Sequence, residues 1–196
     1  MNTSKDNILK DLEVEVIHVS GTSREVADRA RTTIGLDEGT KEISDAYMRK
    51  LYLCEHSPIR TQQYRIKLKN LPYWVSVHFT RHKIGVEHFV STQREDRTNN
   101  DRNSASQDTY VTHEMVLNPQ AFINISRKRL CACASNETRQ VWREVIRKLM
   151  EINMPLASCC VKDCVYRGWC YEHKSCGYHR GASFRQELRT YQEGIN

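Results

Sequence analysis

No run of apolar residues approaches the roughly 18 that a membrane-spanning helix requires, and Met1–Lys10 lacks the apolar core of an export signal. Both absences point to a cytoplasmic protein with no membrane partner. Dense basic stretches are missing as well. Lys and Arg total 30 against 24 Asp and Glu, a formal charge of +6 over 196 residues. That balance favours anionic partners without supplying the arm of a nucleic-acid binder, and phosphorylated small molecules fit it as well. No internal repeat is present. What remains is ordinary globular composition, 39% hydrophobic and 28% charged, in a length that suits one domain or one domain with an appendage.

Cysteine is plentiful: eight residues, five of them between Cys159 and Cys176. Without an export signal, disulfides give way to two readings, reduced thiols or a metal site. Cys164, Cys170 and Cys176, with His173 and His179 nearby, can supply tetrahedral zinc ligands. Their Cys-x5-Cys-x5-Cys spacing lacks the close Cys-x2-Cys knuckle of common zinc sites, so partly buried thiols stand beside zinc as the alternative.

Alternation of Val14, Val16 and the Ile17–Val19 run predicts a strand over Glu13–Gly21. Thr22 or Ser23 caps a short helix through Val26, Ala27 and Ala30. A second helix is expected from about Lys41 to Cys54, burying Ile43, Ala46, Tyr47 and Leu51. Tyr64, Ile66 and Leu68 against Arg65, Lys67 and Lys69 predict a strand with one wet face. Pro72 opens a helix to about His82, with Trp74, Val75 and Phe79 inward. Thr92–Asp108 is polar and arginine-rich and reads as a long loop. Helices follow over Asn118 to about Cys131 and Asn136 to about Asn153, the latter burying Val141, Val145, Ile146, Leu149 and Ile152, and Pro155 stops it. Residues 158–178 form a cysteine-rich tail, and Gly181–Asn196 reads as a frayed or partner-docked end.

The densest polar constellation is Arg81, His82, Lys83, then Ser91, Thr92, Gln93, Arg94 and Arg97. So many neighbouring cations repel one another unless an anion sits among them, and a phosphate-bearing ligand would serve; the plain alternative is a solvated basic loop.

These residues resemble the flavin-dependent thymidylate synthases (ThyX). The family's Arg-His-Arg followed after about seven residues by Ser-x-Arg is similar to Arg81-His82-Lys83 with Ser91, or with Thr92-Gln93-Arg94, here. A second pattern follows in order: Asn118, Gln120, Asn124, Arg129, Cys131, Ala134, Glu137 and Arg139, with Gln120 in place of an Arg. His56-Ser57-Pro58 resembles the family's His-x-Ser/Thr-Pro segment, and Cys164, Gly168, Cys170, Cys176 and Gly177 resemble the cysteine-rich tail of some members. Lys83, Phe89 and Val90 also depart from the pattern, and the stretch between the motifs is short, as in a compact, divergent member of phage type.

The resemblance implies an α+β fold, an antiparallel sheet with flanking helices assembled as a homotetramer with sites between subunits. It implies a catalytic domain over residues 1–157 with a cysteine-rich extension over 158–196 packed on or beside it. The implied reaction methylates dUMP to dTMP with methylenetetrahydrofolate and NADPH as cosubstrates and FAD as cofactor. Arg129 would stabilise charge on the pyrimidine ring. Ser91, Thr92, Gln93, Arg94 and His78 would bind the nucleotide, with Arg97 or Arg102 replacing a phosphate-binding Arg. Arg81, His82, Lys83, Asn118, Asn124 and Ser57 would line the flavin. Bland alternatives stand beside these roles: Asn118 as a helix cap, Arg129 as a surface cation, His78 as a packed ring, and Trp74 and Trp142 as core. At the level of function, the alternatives are a relative acting on another pyrimidine nucleotide or making another one-carbon product, and a nonenzymatic, zinc-containing nucleic-acid-binding module.

Overall fold

The computed structural model describes residues 9–98, 101 and 103–193. Strand alternation builds its centre. β1 (Glu13–Ser20), β2 (Gln63–Pro72), β3 (Val86–Val90) and β4 (Tyr110–Leu117) form one sheet in the order β1-β2-β4-β3, every pair antiparallel. β2 turns Tyr64, Ile66 and Leu68 inward, and β4 turns Val111, His113, Met115 and Leu117 inward, all buried. The opposite face is wet. There Arg65 pairs with Glu15 at 2.9 Å and Lys69 with Glu13 at 2.7 Å, exposed bridges worth little to stability. The architecture is therefore α+β, an antiparallel sheet with flanking helices. β3 and β4 were not anticipated from the residues as separate strands.

Helices cover the apolar face. α1 (Ser23–Thr32) begins at Thr22, whose hydroxyl accepts from the amide of Glu25 while the Glu25 carboxylate accepts from the amide of Thr22, a reciprocal capping box. α2 (Asp45–Leu53) starts four residues later than its periodicity suggested, because Ser44 caps it, and it buries Met48, Leu51 and Tyr52. Ala46 and Tyr47 face outward, correcting the expected face. A 3-10 turn (Ser57–Thr61) leads into β2. α3 (Tyr73–Phe79) is shorter than expected and buries Val75 and Phe79.

α4 (Glu95–Thr98) is one turn within the long polar loop. α5 (Pro119–Arg129) starts at its Asn118 cap, and α6 (Asn136–Ile152) buries Val141, Trp142, Val145 and Leu149. Ile152 is 46% exposed although it lies only about 20° around the helix from the buried Val145; it is the last residue of α6. Trp142 lies in the core beside Phe79 and Phe122, its indole N–H donating to Ser126 at 2.9 Å. Such a partner is what a buried tryptophan needs.

Pro155 sits in the first turn of α7 (Met154–Cys159), where its missing N–H costs nothing. α8 (Asp163–Tyr166) and α9 (Ala182–Gln192) complete the chain. The end is not frayed through its described part: Phe184 and Tyr191 of α9 pack with Val161 and Val165 in a small cluster beside the main core. Arg49 on α2 donates to the carbonyls of Thr190, Tyr191 and Glu193 and holds α9 in place. No helix among the described residues is long and apolar enough to cross a membrane.

Candidate active site

The end of α3 and the turn after it meet the last residue of α5. Arg129 closes α5, and its half-buried guanidinium reaches back to that turn. Its Nε donates to His82 Nε2 at 2.8 Å and its Nη2 to the carbonyl of His78. Arg129 is therefore no solvated surface cation. Its Nη1 has no partner among the described residues and keeps both donors uncommitted. His82 is pushed down to about 4, first by burial and then by the Arg129 charge. At neutral pH the ring is uncharged, with its proton on Nδ1 and its Nε2 lone pair turned to Arg129.

Behind this pair runs a chain of histidines. His88 donates from Nε2 to the carbonyl of His82 at 2.6 Å, which leaves its Nδ1 to accept from His113 Nε2 at 3.0 Å. His113 Nδ1 then accepts from the Ser76 hydroxyl at 3.0 Å. A carbonyl can only accept, so one anchor sets every tautomer in the chain. His113 is fully buried, and burial first, then His88, pushes it down to about 4. Neither His88 nor His113 was singled out from the sequence. A signal was there: in Val111-x-His113-x-Met115-x-Leu117 the histidine occupies a core position of an alternating strand.

Arg81 lies close enough to Arg129 that its charge, after burial, pushes the Arg129 guanidinium down. Neither Arg81 nor Lys83 has an acidic partner among the described residues. Asn118 stands next to this turn: its amide donates to the carbonyl of Gly85 at 3.1 Å, and its side chain accepts from the Ala121 amide at 3.0 Å. Its helix-cap role is real. Gly85, at φ +72°, lies so near that a Cβ there would come within 2.8 Å of the Asn118 side chain. His78, whose Nδ1 is 2.8 Å from the Thr138 hydroxyl, is a packed ring beside Arg129.

The other anticipated residues fall elsewhere. Asn124 faces away from Arg129, because five residues along a helix turn the side chain through about 140°. It accepts from Arg127 at 3.2 Å in a second cluster, where Glu55 accepts from both Gln120 and Arg127 and the Arg127 guanidinium lies 3.4 Å from the centre of the Tyr166 ring. Ser57 is exposed on the 3-10 turn. Ser91 continues the β3–β4 ladder, its hydroxyl accepting from the Thr112 amide at 3.0 Å, and the Thr92 hydroxyl accepts from the Arg94 amide at 3.1 Å. Gln93 is half-buried beside them. Asp96 neutralises Arg94 at 2.8 Å and also lies 3.6 Å from Arg97. Arg102 lies outside the described residues. A single chain thus brings Arg129 to His82 at the turn that carries Arg81 and Lys83, while Asn118 holds Gly85 from the opposite end of α5 and Asn124 points to the Glu55 cluster.

A solved structure shares this fold. The chain matches the UMP/dUMP methylase PolB from Streptomyces cacaoi, bound with 5-Br dUMP, with a TM-score of 0.60. The match covers 76% of this chain and 94% of that one at 13% sequence identity, so the likeness is one of fold. No protein-family model matches the chain, and no curated protein matches it in sequence.

Proposed function

We propose that this protein is a pyrimidine-nucleotide methylating enzyme of the flavin-dependent thymidylate synthase type, converting dUMP to dTMP with methylenetetrahydrofolate and NADPH. The observation that carries the reading is the half-buried Arg129, pinned by His82 and the His78 carbonyl, its Nη1 without a hydrogen bond among the described residues and the Arg81 charge acting on it. The two guanidinium charges act against each other, and an anion near both relieves that cost. A nucleotide brings a phosphate, and a uracil ring brings an oxygen on which negative charge grows as its carbon becomes nucleophilic. A fixed guanidinium at such an oxygen stabilises that charge with no reorganisation at the moment of reaction. The fold shared with a UMP/dUMP methylase supports the same substrate class.

His82 has a positioning role in this scheme. Uncharged at neutral pH, it offers a lone pair to Arg129 and keeps the guanidinium aimed, while the Ser76–His113–His88 chain holds the carbonyl of His82 in place. Protonated, it would release Arg129 and repel it.

The residues fit a phosphate-bearing cofactor. Arg81 and Lys83, without acidic partners among the described residues, suit the pyrophosphate of FAD, and Asn118 borders the same turn. The flavin supplies the hydride chemistry when bound. Asn124 and Ser57 lie apart from this patch, as they would if sites were shared between subunits of a homotetramer, with one chain giving Arg129 and its neighbour giving the Asn124 side.

Titration of the full chain with FAD and then with dUMP, following flavin absorbance, tests the reading. Tight FAD uptake and a spectral change on adding dUMP are expected. A protein that binds neither refutes it. Uptake of dUMP or UMP without FAD overturns the flavin assignment and leaves a nucleotide-modifying enzyme with another carrier.

A further inference from the structure

Away from Arg129, the turn between α5 and α6 faces the cysteine-rich segment across a cavity of about 210 Å³. Cys131 and Cys133 line it from the turn, and Cys164, Cys170 and Cys176 line it from the segment. All five are free thiols. The two groups face each other across this one space, and the Cys133 thiol donates across it to the carbonyl of Lys174, in the cysteine-rich segment, at 3.8 Å.

Three cations, Arg139, Arg143 and Lys162, also line the cavity. The Nε of Arg139 is buried with no hydrogen-bond partner among the described residues, a donor whose burial is costly unless something accepts from it. Two carboxylates on the wall, Asp163 and Glu172, are drawn off by Lys128 at 3.7 and 3.8 Å. The wall is therefore a ring of thiols backed by positive charge.

Stability raises the same question. Among the described residues, the segment that carries Cys164, Cys170 and Cys176 packs through a small cluster of four buried side chains, Val161, Val165, Phe184 and Tyr191, with Leu53, Cys164, Tyr178 and Leu188 partly buried against it. Small units with so little core usually depend on a covalent or metal staple. Among the described residues no three His, Cys, Asp or Glu side chains meet at the spacing of ligands to a single ion. Thiols arrayed around a space many times the volume of one water, instead of converging on a point, suit a cluster better than zinc.

We propose that this cavity holds an iron–sulfur cluster of the four-iron, four-sulfur type, bound by thiolates of four of the five cysteines. Its net negative charge faces Arg139, Arg143 and Lys162, and the Arg139 Nε–H donates to a cluster or cysteine sulfur, a contact of the kind that tunes such centres. The cluster ties the cysteine-rich segment to the α5–α6 turn and replaces the core that the segment lacks. The cysteine spacing alone leaves reduced thiols and zinc on Cys164, Cys170 and Cys176 side by side; the fold adds Cys131 and Cys133 to the same cavity.

The test is independent of the nucleotide reading, because metal and sulfide content report on this site whether or not FAD binds. The full chain, purified without oxygen, is analysed for iron, zinc and acid-labile sulfide. About four irons and about four sulfides per chain are expected, with a broad visible absorption that dithionite bleaches and that survives removal of flavin. Single Cys→Ser changes at the five positions should abolish or strongly deplete iron in four variants and spare it in one. Stoichiometric zinc without sulfide overturns the proposal, as does metal-free protein that takes up no iron on anaerobic incubation with a mixture of ferrous and ferric iron and sulfide. Disulfide bonds among these cysteines in the anaerobic protein would overturn it equally, and because the wild-type protein is measured directly, a misfolded variant does not obscure the result.

Discussion

Acid should unfold this protein through His113, and the size of the effect follows from where β4 puts that ring. It is fully buried, accepts from Ser76 and donates to His88, and is pushed down from an ordinary 6.5 to about 4. An unfolded chain takes up this proton as pH falls below 6.5, whereas the folded chain takes it up only near 4. Between those values the unfolded state holds more protons, so stability falls as pH falls. At about 1.4 kcal/mol per pH unit, moving from pH 7 to 4.5 removes roughly 2 to 3 kcal/mol through this one ring. Against a usual total of about 5 to 15 kcal/mol, that is a large fraction.

The assay is urea unfolding at pH 7 and pH 4.5 for the wild type and for His113→Gln, whose amide can donate and accept but does not titrate. The variant should be weaker at pH 7 and lose about 2 to 3 kcal/mol less on acidification. His82, also pushed down to about 4 but partly exposed, contributes a smaller loss common to both proteins. Exposed carboxylates contribute equally to both and cancel in the difference. Parallel losses in the two proteins would refute the reasoning and place the acid sensitivity elsewhere.

Arg129→Ala should cost on the order of 2 to 4 kcal/mol in the transition state of thymidylate formation with FAD still bound; unchanged turnover in a steady-state assay would return Arg129 to a packing role. The double change Arg97→Ala, Arg102→Ala should weaken dUMP binding roughly ten-fold or more, since a charged hydrogen bond contributes about 1.5 to 3 kcal/mol; equal dissociation constants by flavin titration would mark the loop as a solvated connection. Glu55→Gln removes the charge opposite Arg127, whose side chain is only 14% exposed, and should cost about 1 to 3 kcal/mol in thermal unfolding. An unchanged melting temperature would mean that Tyr166 and Asn124 suffice to hold that guanidinium.

Much of the framework could be read along the chain because it rests on short-range rules. The Thr22 capping box, the Asn118 cap before Pro119, the alternation in β2 and the apolar stripe of α6 each depend on residues within one or two turns of one another. Where a local rule failed, a neighbour had intervened. α2 begins at Asp45 because Ser44 accepts the amide of Tyr47, and α9 is ordered because Arg49, from a helix far earlier in the chain, holds its last carbonyls.

The site was legible in its residue types and only partly in its grouping. Arg81, His82 and Arg129 do come together, because α5 ends against the turn that follows α3, whereas Asn118 meets only Gly85 from the other end of that helix. Asn124, on the same helix and in the same motif, is carried to the Glu55 side by helical geometry. The histidine chain joins α3, β3 and β4, and no spacing along the sequence encodes it: antiparallel pairing sets which rings of β3 and β4 are neighbours. Cys131 and Cys133 stand some thirty residues before Cys164, and it is the packing of α8 against α5 that brings the two groups to one cavity. Residue chemistry and local conformation are properties of neighbouring sequence. Which chemistries meet is a property of long-range packing.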